Sequence, residues 1–360
     1  MSAKAKAATC AAFAVAFGIV TTASLAQAQY YKGRTLNVII NFGAGGNTDV
    51  QGRTLMRYMG KYIPGSPRVV VRNMPGAGGA VGANFMNKGA KKDGTFMGVF
   101  TTPWMHELAG SKALTGSLKD LVYIGAIGQQ QIAHARKDIG IQTANDIIKV
   151  NKPLKSAGHA DASSKDISIK ITMRMLGLKI NHVTGFKSAG PIRRALMQNE
   201  IQMTEDSLAG YYGGVVPNLV SKGVSVPLWQ AGVKTPDGLL KRSDTVKDDI
   251  PTFLEVYRLK FGANATPKGL DWELYRKIVG SRTFLRTIVL PPGAPKAAVD
   301  DLRSAWLKTV KDTEYLAEYQ KKNKSALNWT SGEDAETNIK DTLTLTPEMA
   351  VHVKTIANVK

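Results

Sequence analysis

The sequence is poor in cysteine. Its single cysteine, Cys10, lies within the first 28 residues. Without that segment the chain has no thiol, which excludes a disulfide framework, a thiolate metal site and a cysteine nucleophile. Stability must then come from hydrophobic cores alone, and the remaining length is sufficient for two of them.

Long apolar runs are also scarce, and the exception lies at the N-terminus. Lys4 and Lys6 precede the apolar stretch 11–20, and Ala26-Gln27-Ala28 has the A-x-A pattern of a cleavage site. The pattern predicts a secretory signal peptide at 1–28, cleaved after Ala28, because the stretch is too short to span a bilayer. Cys10 does not follow a Leu-Ala-Gly type of sequence, so we expect a free periplasmic protein and not a lipoprotein.

The sequence lacks the spaced motifs of common hydrolases and metalloenzymes. Its five histidines are isolated, and no H-E-x-x-H or G-x-S-x-G pattern occurs. Ser156, His159 and Asp161 are close in sequence, but neighbours on one short loop rarely reach the geometry of a catalytic triad. We therefore expect no enzyme, no metal and no cofactor, and keep an exported hydrolase as a less favoured alternative.

Nucleotide-binding motifs are incomplete. In the two glycine clusters the third glycine of G-x-G-x-x-G is replaced by Thr48 and by Val81, and no P-loop pattern occurs. Dinucleotide and ATP binding are therefore disfavoured.

Acidic residues are few relative to basic ones. The chain has 48 Lys and Arg against 28 Asp and Glu, a formal net charge of +20, and about +18 once Lys4 and Lys6 are removed. A basic surface attracts anions, and a secreted protein that binds a polyanion or a surface is our second hypothesis. The basic residues are scattered, however, and the densest cluster, 321–324, is typical of a helix C-terminus, so we expect no nucleic acid.

Strand-like and helix-like segments alternate along the chain, which favours an α/β fold with mostly parallel sheets. Strands are predicted at 35–40, 68–72, 95–100, 121–127, 154–157, 179–183, 200–204, 224–229 and 284–289. Helices are predicted at 49–62, 79–88, 143–150, 164–176, 189–198, 209–221, 271–279, 296–311, 313–323 and 347–358. Segments 234–250 and 258–270 are expected to be exposed connections.

A glycine-rich loop separates the first predicted strand from the first predicted helix. Its residues are Phe42, Gly43, Ala44, Gly45, Gly46, Asn47, Thr48 and Asp49. A glycine-rich turn that opens a helix lets backbone N–H groups approach an anion, and the helix N-terminus adds partial positive charge. The loop predicts a site for a phosphate or a carboxylate.

Several motifs resemble one known family. The loop 42–49 is similar to the "P-F-x-x-G-G-x-x-D" signature of Bug-type (TctC-like) substrate-binding proteins, and 71–79 to their "V-x-N-x-P-G-A-G-G". Further similar segments follow in the family's order. They are Asp93-Gly94-Thr95, 182–187, 223–230, 249–252 and 290–295. The resemblance covers nearly the whole chain after the signal peptide, and its first two motifs are the specific ones.

The resemblance implies a periplasmic solute receptor with a two-domain, Venus-flytrap fold, each domain a mixed, mostly parallel sheet flanked by helices. We expect domain 1 at 29–131 plus 284–360 and domain 2 at 132–283, with the ligand in the cleft between them. The family's members bind a small organic carboxylate and deliver it to a two-component membrane permease of the tripartite tricarboxylate type. A monomer is the family's default.

The resemblance places a ligand carboxylate between two loops of domain 1, which here are 43–49 and the segment with Thr101 and Thr102. The facing wall is predicted from loop segments that follow strands of domain 2, where ligands sit in open α/β sheets. The predicted residues are Ser156, Gly158, His159, Ser163, Ser164, Thr184, Gly185, Phe186, Lys187, Asp206 and Ser207.

Several of these residues have structural alternatives. Asp49 is more simply a helix-capping or loop residue, and Ser163 or Ser164 is equally suited to cap a helix. Lys187 could be a countercharge, although a lone lysine is usually solvated. Trp104 and Phe186 could stack on an aromatic ligand, but core packing is the more common role.

The chain also departs from the family pattern. Asn41 replaces a proline, Met74 stands where arginine is common, and Gln202 stands where aspartate is common. His159 and Asp161 are unusual in their loop. Because Gln202, His159 and Asp161 lie in the predicted domain 2, which forms the facing wall, the sequence leaves the identity of the carboxylate open.

Overall fold

A computed structural model of the chain describes residues 29–235, 237–246 and 249–359. The predicted signal peptide, its cleavage site and Cys10 lie outside the described residues. Within these residues the strands form a six-stranded sheet, a five-stranded sheet and a short two-stranded hairpin. The strands are β1 (Thr35–Ile40), β2 (Arg68–Asn73), β3 (Phe96–Thr101), β4 (Val122–Gly128), β5 (Gln131–Arg136), β6 (Leu154–Ala157), β7 (Ile180–Val183), β8 (Met203–Ser207), β9 (Ser225–Gln230), β10 (Val233–Lys234), β11 (Leu240–Lys241), β12 (Arg286–Leu290) and β13 (Asn328–Ser331).

Both large sheets are mixed, and most of their strands share one direction. The first sheet has the order β13-β4-β12-β3-β1-β2, in which β12 and β13 run against the other four strands. The second has the order β7-β6-β8-β5-β9, in which β5 alone runs against the rest. The chain passes from the first sheet to the second between β4 and β5, and it returns to the first sheet before β12.

Helices fill the connections between strands. They are α1 (Asn47–Met59), α2 (Ala80–Asn84), α3 (Trp104–Leu108), α4 (Ser164–Met175), α5 (Ala189–Met197), α6 (Leu208–Gly210), α7 (Phe253–Phe261), α8 (Leu270–Gly280), α9 (Lys296–Thr309), α10 (Thr313–Asn323), α11 (Gly332–Thr342) and α12 (Pro347–Ile356). Helix α6 continues into a π-helix, Tyr211–Val220, which contains Pro217. Of the helices in the described ranges, none combines the length and the apolar character needed to cross a bilayer.

Separate hydrophobic clusters support the two sheets. One cluster joins Leu36 and Val38 of β1 to Leu302 and Trp306 of α9. Another joins Ile132 of β5 to Ile192 and Leu196 of α5. A third and larger cluster contains residues of both sheets, among them Phe100 of β3 and Met203 of β8. Burial of apolar surface is the main favourable contribution to folding, so the two sheets also share a core.

The structure adds elements that the sequence patterns did not predict. Strand β5 is buried on both faces and so lacks the alternation that marks a half-buried strand. Helix α11 buries only Gly332, Ala335 and Ile339, too narrow a stripe to give a strong helical pattern. Strand β13 has four residues, all of them at least partly exposed, on the edge of its sheet.

The prediction of an exposed connection at 258–270 was wrong in its bounds. Helix α7 extends to Phe261 and α8 starts at Leu270, so the connection is shorter than predicted. Thr252 and Glu255 form a capping box at the start of α7, a signal that was present in the sequence. The strand predicted at 200–204 is also displaced, because β8 occupies Met203–Ser207.

Candidate functional site

A narrow cavity lies between the two sheets. Its first wall consists of residues from the loops and strands of the first sheet, and its second wall of residues from β5, α4, β8 and α5 near the second sheet. The cavity volume is about 60 Å³. A single water needs about 10–15 Å³ by this kind of measure, so the space suits one small organic molecule or a few waters.

Asp49 organises the glycine-rich loop of the first wall. Its carboxylate accepts hydrogen bonds from the backbone N–H of Gly45 (2.9 Å), from Asn73 Nδ2 (2.8 Å) and from Arg53 Nε (2.8 Å). Helix α1 begins at Asn47, directly after Gly46, so the carboxylate lies in the first turn of α1 and fixes the preceding loop. This supports the structural interpretation of Asp49 over direct contact with a ligand.

A hydrogen-bonded chain lies behind the loop. The hydroxyls of Thr48 and Thr101 are 2.8 Å apart, and Arg286 Nη1 donates to Thr101 Oγ1 at 2.8 Å. Arg286 Nε donates to Gln51 Oε1 at 3.1 Å. Burial lowers the pKa of the Arg286 guanidinium to about 10, so it stays charged at neutral pH. No carboxylate pairs with Arg286 among the described residues, so the first wall presents a buried positive charge.

Lys165 supplies the corresponding charge on the second wall. It is the second residue of α4, whose N-cap Ser163 accepts a hydrogen bond from the backbone N–H of Asp166. The lysine is 7% exposed and lines the cavity, but no hydrogen-bond or ion-pair partner for it occurs in the described ranges. Burial lowers the pKa of its ammonium group. The nearby Asp206 and Asp166 act in the opposite direction, because their negative charges favour the charged form. An unpaired cation in this position favours binding of an anion.

Asp166 holds the loop that carries this wall. It accepts hydrogen bonds from the backbone N–H of His159 (3.0 Å) and from the Ser163 hydroxyl, and it pairs with His182 Nε2 at 2.7 Å. Burial opposes its ionisation, but the hydrogen bond from His182 and the other donors lower the pKa of Asp166. A Cβ on Gly158 would overlap this carboxylate, so the loop depends on glycine there.

A second buried carboxylate joins the two walls. Asp206 pairs with Arg193 Nη2 at 2.7 Å and with His134 Nε2 at 3.3 Å. Burial would raise the pKa of Asp206, but the charge of Arg193 and the hydrogen bond from His134 lower it. Asn47 of the first wall donates to Ser207 Oγ (3.1 Å) and accepts from Arg193 Nη2 (2.9 Å), so it bridges the cavity.

Other contacts close the cavity at its edge. The Gly43 backbone N–H donates to the Lys187 carbonyl at 3.1 Å. Phe42 packs edge-on against His159, with ring centroids 4.9 Å apart. Burial and the neighbouring Lys165 lower the pKa of His159 to about 4, so its ring is neutral at pH 7.

The structure brings about half of the predicted site residues to the cavity. The residues that line it are Phe42, Gly46, Asn47, Thr48, Thr101, Thr102, His159, Ser163, Ser164, Asp206 and Ser207. Thr184, Gly185, Phe186 and Lys187 line a neighbouring cavity, which shares Phe42 and His159 with the first.

The remaining predicted residues do not line the candidate cavity. Gly43, Ala44 and Gly45 belong to the loop that precedes α1, Asp49 lies in the first turn of α1, and Gly158 lies against Asp166. Ser156 is fully buried in β6, where its hydroxyl pairs with His182 Nδ1 at 2.8 Å. Trp104 is buried in the core, as the packing alternative predicted.

Ser156, His182 and Asp166 form a Ser–His–Asp chain that differs from the triad considered from the sequence. The register of β6 and β7 places Ser156 beside His182, and α4 adds Asp166. None of the three residues lines the candidate cavity, and Ser156 is 0% exposed. Nucleophilic attack needs access to the serine oxygen, so the geometry is that of a structural network.

Sequence reasoning missed charged residues that line the cavity, namely Lys165, Glu205 and Arg286. A signal existed for two of them. Lys165 follows the predicted N-cap serines, and Arg286 is a charged residue inside a predicted buried strand. In the described part of the chain, no group of His, Cys, Asp and Glu is arranged to hold a metal ion.

Comparisons with known proteins agree with the fold and the motifs. No family model matches the chain. The chain is 25% identical over 337 residues to the "UPF0065 protein in gbd 5′region" of Cupriavidus necator, covering 88% of this chain and 94% of that protein.

Several solved structures share the fold, among them the periplasmic binding protein BugD. BugD superposes with a TM-score of 0.67 at 19% identity, covering 92% of this chain and 99% of that one. MatC from Rhodopseudomonas palustris, with bound malate, gives 0.66 at 18% identity, covering 90% and 99%. Another R. palustris protein, with adipate, gives 0.67 at 17% identity, covering 91% and 98%. The chain is thus similar in sequence to a UPF0065 protein, and it shares the fold of BugD and of the two carboxylate-bound structures.

Proposed function

We propose that this protein is a periplasmic receptor for a small organic carboxylate, which binds in the cavity between the two sheets. The observation that carries the proposal is a pair of buried cations on opposite walls. Arg286 and Lys165 both line the cavity, and neither has a carboxylate partner among the described residues. Buried charges are normally paired, so a ligand carboxylate is the natural counter-ion.

The first wall is suited to the ligand's carboxylate end. Thr48 and Thr101 offer hydroxyls, and Arg286 supports Thr101 from behind. Gly46 lies at the start of α1 and lines the cavity without a side chain. Charge-assisted hydrogen bonds of this kind are stronger than neutral ones. Malate and adipate, the ligands of two proteins with this fold, are both dicarboxylates, which agrees with one cation on each wall.

The proposed mechanism is closure of two domains around the ligand. We assign 29–131 plus 284–360 to domain 1 and 132–283 to domain 2, with the crossings next to β5 and β12. Contacts such as Gly43 to Lys187 and Asn47 to Arg193 join the two parts in the conformation described. A ligand that contacts both walls binds the closed form better and so shifts the population toward it.

We further propose that the mature protein starts after Ala28, acts as a monomer in the periplasm, and presents its closed form to a two-component permease of the tripartite tricarboxylate type. The protein has no catalytic role in this proposal, since its polar groups serve binding and loop structure. The fully buried Ser156 supports this assignment.

A calorimetric and thermal-shift screen tests the proposal. Purified mature protein is titrated with mono- and dicarboxylates, inorganic phosphate, sugars and amino acids at low and high salt. We expect one carboxylate class to raise the melting temperature and to bind in a salt-tolerant way, because a ligand of the native state stabilises it. Salt-sensitive binding to heparin, with no response to any small molecule, would instead favour the polyanion hypothesis.

Gly46→Val gives a matched test of the cavity itself. A Cβ on Gly46 would lie 3.0 Å from Ser188 Cβ across the cavity and 3.1 Å from the Gly43 carbonyl oxygen of its own loop. The backbone φ of −77° is accessible to valine. We expect the variant to fold normally and to lose binding of the carboxylate identified in the screen. Wild-type affinity in this variant would refute the assignment of the loop.

A further inference from the structure

Two acceptor groups on the second wall have no hydrogen-bond donor. Glu205 and Gln131 both line the cavity, and they are 3% and 8% exposed. Glu205 Oε1 accepts from Ser168 Oγ at 2.9 Å, but Glu205 Oε2 and Gln131 Oε1 have no partner within the described residues. Such groups are rare in native structures, because a buried acceptor without a donor destabilises the fold.

The two acceptors lie on one face of the second sheet. Glu205 is opposite Ala133 and Gln131 is opposite Ser207 in the antiparallel pair of β5 and β8. Glu205 and Gln131 are therefore diagonal neighbours with the same side-chain direction. A single small group between them could serve both oxygens.

The cations near Glu205 do not satisfy its free oxygen. Burial raises the pKa of the Glu205 carboxyl above its usual range, and the charges of Arg282 and Lys165 offset this shift only in part. Arg282 forms no ion pair with Glu205 among the described residues, and its own Nε and Nη1 atoms also lack acceptors. Glu205 thus introduces a free acceptor into a cavity that is also lined by Lys165 and Arg286, two cations without an acid partner among the described residues.

We propose that the ligand is a carboxylate that also carries a hydrogen-bond donor, a hydroxyl or an ammonium group, and that Glu205 and Gln131 select for this donor. The inference rests on the proposed function, because it assumes that Lys165 and Arg286 attract the ligand's carboxylates. A site built around unpaired acceptors disfavours a ligand without the donor, since binding would leave those acceptors buried and unsatisfied.

Three diacids with one carbon skeleton provide the probe. Succinate, malate and aspartate differ only in carrying hydrogen, hydroxyl or ammonium at the second carbon. Calorimetry is performed with this series and with the corresponding five- and six-carbon series. The substituents are then compared at the chain length that binds. We expect a substituted diacid to bind at least about tenfold more tightly than the unsubstituted one. The preferred substituent then distinguishes a hydroxy acid from an amino acid.

Glu205→Gln tests the role of the carboxylate. We expect the affinity for the substituted diacid to fall about tenfold or more while that for the unsubstituted diacid stays equal or rises, because a negative charge is removed. An unchanged preference in Glu205→Gln would overturn the assignment of Glu205. Equal affinity of the wild type for substituted and unsubstituted diacids would overturn the whole inference and leave the proposed function intact, whereas failure of every carboxylate would refute both.

Adjacent glutamines supply a matched control. Gln130 and Gln131 are both 8% exposed, and both have an unpartnered Oε1 among the described residues, but only Gln131 lines the candidate cavity. We expect Gln131→Leu to reduce the preference for the substituted diacid several-fold and Gln130→Leu to leave it unchanged. Equal effects of the two substitutions would show that Gln131 acts through the fold alone and would contradict its proposed role.

Discussion

The two walls of the cavity hold charge in different ways. The first wall uses a glycine-rich loop, two threonine hydroxyls and one arginine that donates to neutral oxygens. The second wall concentrates buried ionisable groups, with Lys165, Glu205 and Asp206 all below 8% exposure. In the proposed receptor, the first wall serves as a general carboxylate site, and the second wall has the chemistry that can discriminate between ligands.

The difference extends to stability. On the first wall, Asp49 is fully engaged with Gly45, Asn73 and Arg53, so the loop keeps its shape without a ligand. On the second wall, Lys165 and Glu205 keep unsatisfied atoms in the described conformation. Stability sacrificed in this way is typical of binding sites, because a ligand later supplies the missing partners.

The largest expected effect concerns the buried carboxylate that supports the second wall. Asp166→Asn removes the charge that accepts hydrogen bonds from His182, from Ser163 and from the His159 backbone. We expect a loss of about 3 kcal/mol or more in the free energy of unfolding, measured by urea denaturation. Asp161→Asn is the control, because its ion pair with Lys170 is half exposed and should contribute less than about 1 kcal/mol. Similar losses in the two variants would contradict the supporting role of Asp166.

Lys165→Met is expected to separate binding from stability. The substitution removes an unpaired buried cation, so the free protein should be as stable as the wild type or more stable. Carboxylate affinity should nevertheless fall roughly 30-fold or more, since a ligand charge loses its buried partner. Calorimetry and urea denaturation on the same samples test both parts. The control is Lys170→Met on the same helix, whose lysine pairs with Asp161 and does not line the cavity. An unchanged affinity in Lys165→Met would assign the carboxylate to the first wall alone.

The same contrast explains what could be predicted from the sequence. The strand, loop and helix of the first wall are adjacent in the chain, so local patterns and motifs predicted β1, the loop 42–49 and α1 together. The second wall joins residues that are distant in sequence, such as Lys165 and Glu205. Their proximity depends on the packing of α4 against β8, where Ser168 Oγ donates to Glu205 Oε1. Strand β5, which carries Gln131 on the same wall, had its strand pattern hidden by continuous burial. Ser156 was a plausible loop residue until the register of β6 placed it beside His182 inside the sheet.

Asn47 offers a way to test whether hydrogen bonds between the two walls contribute to ligand binding. Asn47→Ala removes hydrogen bonds to Ser207 and from Arg193, which join the two walls in the described conformation. We expect the affinity to fall about tenfold, because the proposed closed form loses about 1–1.5 kcal/mol of contacts between the walls. Calorimetry gives the affinity, and small-angle scattering gives the degree of closure.

A control variant makes the Asn47 test specific. Asn218→Ala removes a hydrogen bond to the Gly214 carbonyl within the π-helix and leaves the cavity untouched. It should preserve both affinity and closure. If Asn47→Ala behaved like Asn218→Ala, the contacts of Asn47 would not contribute to closure.

The smallest expected effect is a pH dependence that comes from His106. This residue lies in α3 beneath Gly78 of the first wall, and neither ring nitrogen has a partner among the described residues. Burial lowers the pKa of His106 to about 4. The unfolded chain therefore binds more protons between pH 6.5 and 4, so stability should fall as the pH drops through this window. For one histidine, the free energy of unfolding falls by about 1 kcal/mol at pH 6.

The His106→Leu variant tests this pH dependence. The pKa of His159 is shifted in the same direction, so His106→Leu should reduce the slope of melting temperature against pH without abolishing it. A slope identical to that of the wild type would mean that His106 acquires a partner or a water in solution.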